Sequence, residues 1–319
     1  MRLQVFRSLW TNGFNLDAAL ADCRTGAFDG VEGPVPLEKN ARGEFLAKLR
    51  DAGGSTALTT GIPFIAEITT GGSYVPASLS PAQHLDDFRH KAEASLEGAP
   101  LFFTVLAGCD GWPLTQSVDF FGRAIEIADE LGATASFETH RSRATFTPWI
   151  TRDLLRQLPA LRLTCDFSHW CCVCERLVLD GELDILALCA ERAHHVHARV
   201  GYDQGPQVPH PDAPEYHIAL GAHERWWDAI WDAHHRADRA LTTMTPEFGP
   251  DRYLHTLPFS DTPVASLDEI NHWMAVRQRE RFSEHSNFVI GNSHLVVGTD
   301  ALRQAQGTAS VGSKPTTNY

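Results

Sequence analysis

Four side chains able to ligate a metal close four separate apolar runs: Glu138 in TASFETH, Asp166 in LRLTCDFSH, His197 in HHVHARV and Glu247 in TTMTPEFGP. Three carboxylates and an imidazole brought together repel one another and resist burial unless a cation joins them. The set therefore points to one divalent metal ion. Oxygen donors with a single imidazole suit Mn²⁺, Mg²⁺, Co²⁺ or Zn²⁺ alike. Taken singly, each residue reads equally well as the polar start of a loop; the repetition at four run ends argues for a site.

Further polar groups stand at the same places. His169 lies three residues past Asp166, where a tight turn returns it to the same rim to meet a second cation or a substrate hydroxyl. His195 and His197 are two apart and share a strand face. His197 is nearer the carboxyl end and is assigned to the metal, with His195 a layer deeper. Arg199 has the same phase, further out, where it can hold a carboxylate, phosphate or sugar oxygen. His140 and Arg141 follow Glu138 and are placed to reach substrate. Glu32 ends FDGVEG and Glu67 lies within PFIAEIT; both read as structural. Trp10 and Trp112 follow the first and fourth runs, where indole faces can stack on sugar C–H surfaces. Trp170 is a further candidate for a pocket wall, and Trp226 and Trp227 read as core. Cys171, Cys172 and Cys174 lack the second Cys arm of a structural zinc site. No G-x-G-x-x-G follows the first run, and neither a G-x-S-x-G elbow nor a P-loop occurs.

The elements that must position these groups alternate. Strand-like runs at 3–8, 28–33, 63–69, 101–107, 134–138, 161–166, 194–200 and 240–247 are separated by helical patterns. The third run competes with STALTTGI just before it. Leu114, Val118, Phe121, Ile125 and Ala128 recur at helical spacing, with Gly132 as the stop. Ser80 and Pro81 start another helix as N-cap and first residue. Strands separated by helices pair in parallel, and eight such units predict an α/β fold, the (β/α)₈ TIM barrel. The barrel is expected as a single domain over 1–291, with 292–319 a flexible tail too poor in large apolar groups to offset its ordering entropy. The Pro-rich stretch 201–216 reads as a partly rigid lid.

Composition narrows the function. A formal net charge of −13 disfavours a nucleic-acid partner, whose phosphates need Lys and Arg. No apolar run approaches the roughly 18 residues of a membrane span. The first residues lack the basic-then-apolar order of a secretion signal, so a cytoplasmic location with reduced cysteines is expected. The expected partner is a small sugar or related metabolite, with homo-oligomer formation left open.

At FDGVEG, SFETH, CDFSHW, HVHARVG and MTPEFGP, over roughly residues 1–280, the chain resembles the xylose isomerase-like TIM-barrel superfamily of sugar isomerases, epimerases and endonuclease IV-like proteins. The resemblance implies a single divalent ion held by Glu138, Asp166, His197 and Glu247, with His169 and Arg199 contacting substrate. Endonuclease IV-like members carry additional His ligands on the second and third strands and an Asp-x-His after the seventh. Here those places hold Glu32-Gly and His210-Pro-Asp212, which speaks against a trinuclear nuclease. The expected reaction is isomerisation or epimerisation of a small sugar or hydroxy-ketone. One glutamate of Glu138 and Glu247 removes a proton, an enediolate forms, and the other returns a proton. The alternatives are a metal-dependent lyase or hydrolase on a glycoside or related metabolite, and a sugar-binding barrel without turnover.

Overall fold

The computed structural model describes residues 1–53, 61–72, 76 and 78–307, with side chains through 287. Each of the eight runs contains a strand: β1 (Arg2–Ser8), β2 (Gly30–Gly33), β3 (Phe64–Thr69), β4 (Phe103–Leu106), β5 (Ala135–Glu138), β6 (Leu163–Cys165), β7 (Ala193–Ala198) and β8 (Leu241–Pro246). The third strand is thus PFIAEIT, and most of the competing STALTTGI lies outside the described residues. Between the strands run α1 (Leu16–Thr25), α2 (Lys39–Ala52), α3 (Pro81–Leu96), α4 (Leu114–Glu130), α5 (Pro148–Gln157), α6 (Ser168–Val173), α7 (Leu183–Arg192) and α8 (His217–Arg236); α9 (Leu267–Gly307) follows β8. A helix carries the chain back to the same end after each strand, so every pair is parallel. β1 closes on β8, and the described strands form a TIM barrel in sequence order.

Alternation along each strand sends every second side chain inward. Phe6, Ile65 and Phe102 fill part of the interior with an apolar cluster. Gly30 is required beside it, because a Cβ there would lie 2.5 Å from the Phe6 ring and 2.4 Å from the Pro63 carbonyl. Other inward positions carry hydroxyls and an imidazole rather than the branched aliphatics common in such barrels. Thr164 Oγ1 donates to Ser136 Oγ at 2.8 Å and lies 3.3 Å from Thr104 Oγ1, while His195 Nδ1 meets Thr243 Oγ1 at 2.8 Å. Pairing these groups with one another removes the penalty of burying them. The next inward positions after Ser136, Thr164 and His195 are Glu138, Asp166 and His197.

The outer layer follows the expected helix signals with one rotation. Ser80 caps α3 in a reciprocal capping box with Gln83, ahead of Pro81. Gly132 takes φ +66° just past α4. The buried face of α4 centres on Ser117, Phe120, Phe121, Ala124, Ile127 and Ala128, leaving Leu114, Val118 and Ile125 half-buried at its border. The small Ser117 and Ala124 let that face approach closely. Trp226 and Trp227 are core residues of α8, as expected. Trp170 is no pocket wall: it is fully buried, and its Nε1 donates to the Thr145 carbonyl at 2.9 Å.

The chain divides into two compact units, 1–277 and 278–319, and the barrel belongs to the first. Helical backbone continues to Gly307, past residue 292 where the sequence expects a tail to begin; 308–319 lie outside the described residues. No helix among the described residues is long and apolar enough to cross a membrane.

Candidate metal centre

Glu138 is the last residue of β5, Asp166 follows β6, His197 lies near the end of β7, and Glu247 follows β8. Barrel closure brings these four consecutive strand ends onto one arc of the rim. One donor atom from each lies within 4.8 Å of every other, and all four side chains are buried. His197 Nδ1 is 3.1 Å from Glu247 Oε2 and 3.5 Å from Glu138 Oε1, yet is aligned for a hydrogen bond with neither.

The opposite edge of that imidazole is fixed. Glu32, at the end of β2, accepts from His197 Nε2 at 3.0 Å and lies 3.2 Å from His195 Nε2; Thr245 Oγ1 donates to the same carboxylate. With Nε2 so engaged, Nδ1 is the atom left for a ligand role, the usual arrangement for a histidine at a metal. Burial works against the charge on Glu32, but His197 and His195 outweigh it and hold its carboxyl well below the ordinary range. Burial likewise opposes the charge on His197, and Glu247, Glu32 and Glu138 overcome it, raising its pKa well above the usual value. Glu138 is pushed up to about 7, chiefly by burial. Without an added cation these acids are therefore kept apart by protons. The donor set, and a buried nitrogen held towards shared space, fit a divalent ion.

Arg199 closes the other side of the arc. Its guanidinium pairs with Asp166, reaches Glu247 Oε2 at 3.5 Å, and donates from Nε to Ser168 Oγ at 3.2 Å. It lies over the Tyr253 ring, 4.7 Å from the centroid, with Trp10 on a further side at 5.7 Å. Burial opposes its charge, but Asp166 and Glu247 keep it firmly protonated. Trp10 itself is held by a 2.9 Å bond to Asp251 and packs so close to Gly249 that a Cβ there would come within 2.0 Å of the indole.

A cavity of about 400 Å³ opens above this arc, lined by Glu138, Glu247, Arg199, His140 and Trp10 among others. Of the residues given a functional role from the sequence, these five reach it. His169 stands behind them, fully buried, with Nε2 2.8 Å from Arg199 Nη2 and its ring 3.9 Å from that of His140. Glu138, His140 and His169 also have donor atoms within 4.8 Å of one another. Burial and the surrounding arginines hold both imidazoles uncharged, and the same arginines oppose a second cation there. Trp112 is not brought to the cavity. Its ring packs edge-on against His84 at 4.9 Å and Phe120 at 5.2 Å, on α3 and α4. The loop after β4 turns outward at Gly108, φ +72°, with the indole 3.2 Å from where a Cβ would stand.

Three groups at the site escaped the sequence reading. Glu32 looked structural because its partners on β7 and β8 are remote in sequence. Tyr253 lies in a loop without a motif. Glu67 is on the inward face of β3, two residues beyond Ile65, and lines the cavity. Burial, then the charges of Glu247, Glu32 and Glu138, push its carboxyl up to about 8. The signal for Glu67 was a lone acid inside an apolar run. The seven cysteines are free; Cys171, Cys172 and Cys174 have thiols raised by burial and belong to no ligand cluster among the described residues.

No family model and no curated protein matches the sequence. Solved structures do match. The IolI protein with a bound zinc atom aligns at TM-score 0.56 and 13% identity, over 86% of this chain and 95% of its own. A xylose isomerase-like TIM-barrel protein from Mycobacterium smegmatis in complex with magnesium gives 0.56 and 11%, over 85% and 95%. Endonuclease IV from Thermus thermophilus gives 0.54 and 12%, over 88% and 99%. The fold is that of the xylose isomerase-like TIM barrels. At such identities the likeness extends to the fold, and the chemistry must be argued from the residues present.

Proposed function

We propose that this protein is a divalent-metal-dependent isomerase or epimerase of a small sugar or hydroxy-ketone, working in the cytoplasm. The observation that carries the reading is the convergence of Glu138, Asp166, His197 and Glu247 donor atoms within 4.8 Å, with His197 Nδ1 free of any aligned hydrogen bond. These four residues would hold the ion. The bound zinc and magnesium of two fold relatives support a divalent metal without choosing one. A divalent cation supplies polarisation of a substrate carbonyl and acidification of the adjacent C–H.

The chain's own groups do the rest. Glu138 and Glu247 both border the cavity, so each can exchange a proton with a substrate carbon there. Glu138 removes the proton from carbon, and Glu247 returns one to the neighbouring carbon or the opposite face. Arg199, fixed by Asp166 and Ser168, offers positive charge to oxygen as it becomes anionic. Trp10 and Tyr253 flank the guanidinium and limit water on that side.

Exchange of solvent deuterium into a panel of ketoses and hydroxy-ketones, with Mn²⁺ present, tests this. Glu138→Gln and Glu247→Gln are each expected to abolish exchange while circular dichroism stays unchanged. Near-normal exchange in either variant would remove the two-glutamate mechanism. A second reading, the lyase alternative, is favoured by Glu67. A carboxyl held protonated on the same cavity wall can give its proton to a departing oxygen, and release of a cleaved product instead of an isomer would identify it.

A further inference from the structure

The cavity has two unlike halves. Its acids and Arg199 come from the β5–β8 arc, apart from Glu67 on β3. Trp10 and Phe14 follow β1, while Pro34, Val35 and Leu37 follow β2, so the closed strand order sets an apolar wall across the mouth from the ligand set. Sugar hydroxyls placed against that wall would lose water without gaining partners, which costs free energy for each group.

Phe14 is the wall residue that folding explains least. It is 56% exposed and sits at φ +61°, the left-handed region that bulky side chains avoid. A turn of 3₁₀ helix at Trp10–Asn12 and the bond from Phe14 N to the Leu9 carbonyl, 2.7 Å, hold it there. Leu37 is 45% exposed beside the same cavity. A strained, water-exposed phenyl ring gains little from burial within the fold, so its packing partner is to be sought in what enters the cavity. The volume agrees: about 400 Å³ falls in the roughly 300–1,000 Å³ range of pockets that enclose drug-sized ligands.

From this polarity we infer that the substrate is two-ended: a hydroxy-carbonyl head directed to Glu138 and Glu247, and an apolar, ring-bearing body covered by Phe14, Leu37, Val35 and Trp10. The inference rests on the metal-centre reading for the head and adds the chemistry of the body. It narrows the substrate class from free small sugars to hydroxy-carbonyl compounds carrying an aromatic or alicyclic substituent.

The test is a matched pair of probes, hydroxyacetone and 2-hydroxyacetophenone, which share the hydroxy-ketone head and differ in methyl against phenyl. Binding to the Mn²⁺-loaded protein is measured by calorimetry and by Trp fluorescence. Burying the ring against the wall is expected to make the phenyl probe bind about tenfold to hundredfold tighter. In Phe14→Asn with Leu37→Ser the advantage should fall to within about threefold while Mn²⁺ affinity is unchanged. Asn tolerates the left-handed backbone, so this variant keeps the fold. An advantage below about threefold in the parent, or its survival in the double variant, overturns the inference. So does a change of oligomeric mass in the double variant without a change in probe preference, which would make the wall an interface between copies of this chain. Failure of Mn²⁺ to bind removes the metal-centre reading and this inference together. Mn²⁺ binding with equal probe affinities removes this inference alone.

Discussion

Replacing Glu32 by Gln isolates the one carboxylate that touches the candidate ligand set from behind. Glu32 accepts from His197 Nε2 at 3.0 Å and is itself buried. Gln fills the same volume and can still accept one N–H through its amide oxygen, but it lacks the negative charge that orients His197 and raises the basicity of Nδ1. Loss of such an orienting partner typically weakens metal affinity about 10–100-fold, or about 1.4–2.8 kcal/mol. At a Mn²⁺ concentration about 100 times the parent dissociation constant, metal linkage stabilises the parent by about 2.7 kcal/mol. The same concentration would stabilise the variant by about 1.4 kcal/mol after a tenfold loss, or about 0.4 after a hundredfold loss. Calorimetric titration gives the affinity directly, and thermal melts with Mn²⁺ against EDTA give the linkage independently. A folded Glu32→Gln protein that binds Mn²⁺ within about threefold of the parent would refute the assignment of His197 Nδ1 as the ligand atom.

Two further outcomes follow from charges at the same rim. Arg199→Met leaves Asp166 without its buried ion-pair partner, and should destabilise the metal-free protein by about 3–5 kcal/mol in urea unfolding, with Mn²⁺ restoring part of the loss; equal stability of parent and variant in EDTA would contradict the pairing. Glu67 binds its proton more tightly when folded, at about 8 against an ordinary 4.5, so unfolding releases that proton and the native state loses stability as pH rises from about 4.5 to 8. Glu67→Gln should therefore match the parent near pH 5 and exceed it by roughly 2–4 kcal/mol near pH 9 in the metal-free protein, a range kept below the full shift because the side chain opens on the cavity; a constant difference across that window would sink the argument.

How much of this the sequence could reveal follows from what kind of order it records. Glu138, Asp166, His197 and Glu247 were legible because each terminates an apolar run, and strand alternation with helices leaves a barrel as the closure that aligns such ends. Arg199 and His195 were legible by phase, since residues two apart share a strand face. Trp112 was not, because a position just after a strand says nothing of whether the loop turns towards the axis or, as at Gly108, back over the helices. The role of Glu32 was hidden for a different reason: its carboxylate meets an imidazole 165 residues away, a pairing created by β2 facing β7 across the barrel.

The same reasoning explains why the apolar wall is a matter of structure and the ligand arc a matter of sequence. Phe14 and Leu37 read locally as ordinary loop residues, and single exposed apolar groups need no explanation. They gain meaning from closure of β1 on β8, which sets the β1 and β2 loops around one cavity opposite four consecutive acid- or imidazole-bearing strand ends. Two physical requirements then act on one ligand from two sides. The arc demands oxygen atoms able to replace water at a cation, and the wall demands surface that water leaves willingly. A free sugar satisfies the first and wastes the second, whereas a purely apolar ligand leaves the carboxylates desolvated without compensation. Specificity in this cavity is thus a conjunction, and the relative affinity of hydroxyacetone and 2-hydroxyacetophenone measures the second requirement while holding the first constant.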